Sequence, residues 1–181
     1  VAAWGHDYTG KMLTEIMSGS YYRFIRGLFD QTIETRACVF SHSRFQWDRG
    51  RSVDTRRLMM PFADNDAPEV VRYVLESQVF DFSRTGPEHP HVAPQAPPLL
   101  RYPRVWERES RMLDPRQAAL FEHWQGLRPA PGRLPPRAAF DPIDVPSAMS
   151  TLVLVEVTGT ELTFRVVGTD QVNAWGMDYT G

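Results

Sequence analysis

The chain is predicted to fold as an α+β domain built on an antiparallel sheet. Three observations predict it: two segments with apolar residues at helical spacing, five β-rich runs bounded by turn residues, and a decapeptide present at both ends. Residues 1–10 read VAAWGHDYTG and residues 172–181 read VNAWGMDYTG, identical at 8 of 10 positions. In non-repetitive sequence such a match is an internal repeat. The chain is therefore expected to hold the back part of one unit followed by the front part of the next.

The first element is a helix over 11–36, with Ser18 and Ser20 as N-caps and Tyr22, Ile25, Phe29 and Ile33 at helical spacing. Phe24 and Leu28 widen that stripe until most of the circumference needs cover. Three strand-like runs follow. The first, 37–47, carries Val39, Phe40 and Phe45; the turn Asp48-Arg49-Gly50 leads to 53–62; the turn Asp64-Asn65-Asp66 leads to 69–82. The first half of 69–82 also reads as a helix.

Residues 83–113 differ in kind, since six prolines from Pro87 to Pro103 mark a linker of polyproline character. Asp114-Pro115 opens the second helix, with Asp as N-cap and Pro at the first helical position, and Leu120, Phe121, Trp124 and Leu127 form its stripe. Residues 151–157 and 162–168 make a hairpin around Thr158-Gly159-Thr160.

Composition narrows the function. A length of 181 residues favours one domain, and a net charge of −2 gives no electrostatic reason to expect nucleic acid or an anionic membrane as partner. Cys38 stands alone, which excludes an internal disulfide and fits a reducing cytoplasm. No apolar run approaches the ~20 residues that span a bilayer, and no signal peptide is visible. A chain that opens on Val is expected to be a segment or a processed product.

Re-cut at the repeat, with Gly181 followed by Lys11, the order becomes helix, two strands, short helices, a longer helix, three strands. Trp124-x-x-Leu127-Arg128, Leu134-Pro135-x-Arg137, Phe140-Asp141-Pro142, Arg165-Val166-Val167-Gly168-Thr169, the duplicated Asp-Tyr-Thr-Gly and Leu58-Met59-Met60-Pro61-Phe62 follow in family order. In these motifs the chain resembles the PAS domain, specifically a bacterial PAS-like family. The resemblance implies a five-stranded antiparallel sheet with helices on one face, here in permuted or domain-swapped order: residues 1–82 as the back part, 83–113 as linker, 114–181 as the front part. In a permuted monomer the hairpin docks beside 69–82 of its own chain; in a swapped dimer it docks on a partner; a tandem fragment takes its missing halves from absent sequence.

The resemblance also implies a sensory or regulatory role in signal transduction, through a small-molecule ligand or a protein partner, as a homodimer or with a signalling protein. The ligand-free alternative is a structural dimerisation module with a filled core. The expected pocket lies between the sheet and the helical residues 21–35, lined by Phe24, Leu28, Phe40, Met59 and Trp175 or its copy Trp4; the same residue types also pack an ordinary core. No cofactor is assigned. His6, replaced by Met177 in the second copy, is the imidazole a haem-binding PAS domain would need, but it reads as a surface loop residue. Cys38 lies in a strand without the N-C-R-F-L-Q type of motif that flavin photochemistry uses. His89-x-His91 reads as solvated, lacking Cys or carboxylate partners at zinc-site spacing.

Catalysis finds no motif: no G-x-S-x-G, phosphate loop or H-E-x-x-H occurs. The chain is read as not an enzyme, with His42 and Glu156 the only strand residues able to supply a buried acid or base. Asp141-Pro142 is read as a turn beside Asp144. Of Arg56 and Arg57, adjacent in a strand, one is expected to face solvent. Glu107, Arg108, Glu109 and Arg111 with Trp106 suggest a short amphipathic stretch packed on the sheet or a partner.

Overall fold

Five long antiparallel strands form an open sheet with helical segments packed on both of its faces in the computed structural model, which describes residues 8–47, 51–81, 100–101 and 113–175. The helical stretch expected over 11–36 is two helices, α1 (Leu13–Ile16) and α2 (Gly19–Thr35). Met17 and Ser18 are extended between them, and Gly19 takes φ +65°, a conformation that favours glycine. Ser18 is the N-cap of α2, though its side chain makes no capping bond. Arg36 ends the helix in the left-handed region at φ 52°.

Strands β1 (Val39–Trp47), β2 (Arg51–Asp64) and β3 (Ala67–Asp81) then form a meander. The stretch that also read as a helix is strand throughout, with Tyr73 and Leu75 packed in one core and Val74 between them in the other. A two-residue strand, β4 (Leu100–Arg101), pairs with Val39 and Phe40 at the outer edge of β1. The stretch expected to be linker throughout thus contributes one strand pairing, and the rest of 83–112 lies outside the described residues.

Helix α3 (Pro115–Gly126) begins as expected. The Asp114 carboxylate accepts from the Arg116 backbone N–H at 3.0 Å, and Pro115 occupies the first turn. Short 3-10 turns lead to β5 (Leu152–Thr158) and β6 (Glu161–Val167), and α4 (Thr169–Trp175) follows. Asp141 shapes its turn by accepting from the Ile143 backbone N–H at 2.9 Å.

The hairpin β5–β6 docks on β3 of the same chain, with Tyr73 opposite Glu156 and Ser77 opposite Leu152. The sheet order is β4-β1-β2-β3-β5-β6. The edge of β6 is not open: Gly10, at φ +83°, donates its N–H to the Phe164 carbonyl at 2.7 Å, and Phe164 donates back to the Lys11 carbonyl at 3.0 Å. The chain's own Gly10–Lys11 segment thus covers the kind of edge that invites association.

Helices on one face only is an expectation the structure corrects. Helix α2 covers one side, where Leu28 and Phe29 meet Met59, Val74, Val153, Val155 and Phe164. Helix α3 covers the other, where Leu120, Phe121 and Trp124 meet Leu58, Met60, Phe62, Leu75 and Leu154. The physical reason is in β2: Leu58, Met59, Met60 and Phe62 are all buried, so both sides of that strand need apolar cover. The Trp124 indole fastens α3 by donating to the Pro61 carbonyl at 3.1 Å.

Candidate functional site

Strand parity sets the chemistry of the face under α2. Ser41, Ser43, Thr55, Arg57, Met59, Glu76 and Gln78 share it through the pairs Ser41–Arg57, Ser43–Thr55, Arg57–Gln78 and Met59–Glu76. Toward Val39 the face is apolar; toward the far end of the strands it turns polar, and Arg57 stands at the change.

Arg57 is 1% exposed, and its donors are engaged on several sides. Nη1 donates to the Ser43 hydroxyl at 2.9 Å and Nη2 to the Tyr21 hydroxyl at 2.8 Å. Nε lies 3.4 Å from a Glu76 carboxylate oxygen. The Gln78 amide, with its oxygen turned toward the guanidinium, accepts from Nε at 3.2 Å and Nη2 at 2.7 Å. A buried guanidinium demands such a shell, because taking it out of water unpaired is very costly. Burial pushes the Glu76 carboxyl above its ordinary range, and the neighbouring Arg57 charge pulls it part of the way back.

A cavity of about 10 Å³ lies between this cluster and α2, room for about one water. The apolar side chains of Met17, Ile25, Phe29 and Phe164 and the polar ones of Tyr21, Arg57, Glu76 and Gln78 line it. On the same strand face, the buried Ser41 and Thr55 hydroxyls have no hydrogen-bond partner among the described residues.

The residues expected to line a pocket are brought together in part. Leu28 and Met59 belong to the core beneath α2, and Phe24 packs against it half-buried. Phe40 does not join them. It pairs with Leu58, a residue of the α3-side core, because the strand's alternation sends Val39 to the α2 face and Phe40 to the opposite one. Trp4, and the side chain of Trp175 at the end of α4, lie outside the described residues, as do His6, His89, His91 and the amphipathic stretch from Trp106 to Arg111.

The sequence offered only one hint of the polar cluster, the adjacent pair Arg56 and Arg57. Arg57 is the buried member, and the other is half-buried. Glu76 and Gln78 gave no local signal, since they meet Arg57 only through the β2–β3 register.

The two strand residues considered as a buried acid or base are not buried. His42 is exposed, and Glu156 is half-buried against Arg72 at 2.8 Å and Arg165. Glu156 sits past the end of the α3-side core, where Leu154 is the last β5 member. No group of three or more His, Cys, Asp or Glu among the described residues is placed to hold a metal ion. No helix among them is long and apolar enough to cross a membrane. Comparison with known proteins adds no relative: no family model, curated protein or solved structure matches the chain.

Proposed function

We propose that the protein is a sensory or regulatory PAS-like module that binds a small molecule between α2 and the sheet and passes the bound state on to a signalling partner or a second copy. The observation that carries this reading is the Arg57–Glu76–Gln78–Tyr21 cluster lining a cavity between α2 and the sheet. The cavity pairs convergent polar groups with an apolar wall, the composition of small-molecule sites. The hairpin seated on β3 of its own chain supports the permuted form of a PAS-like sheet. Tyr21 supplies the coupling, because the hydroxyl that holds α2 to Arg57 is the group a ligand displaces. The ligand then shifts the position of α2 by its difference in affinity for the two arrangements.

One observation favours the ligand-free structural module: the cavity holds no more than about one water. Melting experiments separate the two. Molecules released from the purified chain by denaturing extraction and then added back raise Tm by mass action if the site binds them. An unchanged Tm, with nothing released, leaves the dimerisation module.

A further inference from the structure

Building on the reading that a small molecule enters between α2 and the sheet, we infer that this site takes an uncharged, amide-type compound, its carbonyl on Arg57, its N–H on Glu76 and an apolar body against Phe29 and Phe164. Among the described residues lining the cavity, Arg57 is the one cation and Glu76 the one carboxylate, so the lining carries no net charge. An entering anion or cation leaves an uncompensated buried charge, and a zwitterion requires two more charges to be stripped of water. A purely apolar molecule displaces the acceptors of Arg57 without replacing them. An amide presents one acceptor and one donor side by side and leaves the balance intact.

The protein already makes half of this contact with itself. The Gln78 carboxamide oxygen accepts from Arg57 Nε and Nη2, so the guanidinium is oriented for that group. Tyr21 is the other titratable side chain in the lining. Met17, Ile25, Phe29 and Phe164 provide the apolar wall. A ligand larger than a water must move Tyr21 and Met17. Tyr21 lies in the first turn of α2 and Met17 just before it, flanking the point where Ser18 caps without a side-chain bond and Gly19 takes positive φ.

The test uses three planar probes of similar size and shape on the full chain at neutral pH: benzamide, benzoate and benzamidinium, with affinities read by titration calorimetry. Benzamide is expected to bind at least about tenfold tighter than either charged probe. Glu76→Gln leaves the lining net positive and is expected to reverse the order of benzamide and benzoate. Tyr21→Phe removes one competing hydroxyl from a half-buried side chain and is expected to tighten benzamide. A charged probe binding tightest to the wild type, an order unchanged in Glu76→Gln, or no benzamide binding overturns the inference. If a charged probe wins, the binding reading stands and only the ligand class falls. If no probe binds and the purified chain releases no molecule, both fall.

Discussion

Arg57 Nε stands 3.4 Å from a Glu76 carboxylate oxygen, with the two side chains 1% and 5% exposed. The pair joins β2 to β3 and ties the polar end of the sheet to α2 through Tyr21. Removing one member leaves the other buried without its partner, which costs about 3–5 kcal/mol. Arg57→Met alone is therefore expected to destabilise by about that much, whereas Arg57→Met with Glu76→Leu recovers most of the loss. Urea unfolding of the two single variants and the double completes the cycle.

The pH dependence has a definite sign. Because burial raises the Glu76 carboxyl above its ordinary value of 4.5, the folded state holds that proton at a pH where the unfolded chain has released it. This contribution to stability is full below the unfolded value and is lost as pH rises through the folded one. The stability of the wild type relative to Glu76→Gln is therefore expected to fall as pH rises above about 4.5. Urea midpoints of both proteins across that interval measure the change.

Asp114 works in the opposite direction. The Arg116 side chain bonded to its carboxylate at 2.8 Å lowers the Asp114 carboxyl below its ordinary range, partly offset by desolvation. Asp114→Ala removes the α3 cap and is expected to cost about 1 kcal/mol at neutral pH. The loss should shrink in acid as the wild-type carboxylate is protonated, and thermal melts at two pH values show it.

Phe29 and Phe24 separate core from periphery on one helix. Phe29 is fully buried, so Phe29→Ala is expected to cost about 3–5 kcal/mol. Phe24 is half-buried and should cost clearly less. Equal losses in chemical denaturation would contradict the placement of α2.

Gly168 permits the close turn between β6 and α4. A Cβ at that position meets the Ser150 carbonyl oxygen at 2.4 Å and the Leu152 oxygen at 2.8 Å, both backbone atoms that cannot swing away. Gly168→Ala is expected to destabilise by more than about 1 kcal/mol, and amide exchange in α4 should rise with it.

Local chemistry made several elements legible in the sequence. Asp114-Pro115 announced the start of α3, and Gly159-Thr160 the β5–β6 turn, because capping and tight turns depend on neighbouring residues. What escaped depends on register. Phe40 was placed on the wrong face because the parity of β1 is set by pairing Val39 with Met59, across the sheet. Arg57, Glu76 and Gln78 meet across two strands, and no local pattern announces that contact. The run Leu58–Met60 is buried throughout, which is why both faces of the sheet carry cover, and it entered the sequence reading only as a motif.

Native mass spectrometry of the purified full chain, beside Arg57→Met, tests the central claim most directly. The account predicts a reproducible small-molecule adduct on the wild type that is lost from the folded Arg57→Met variant. A wild type carrying no adduct, or an adduct retained equally by the variant, would contradict binding at this site.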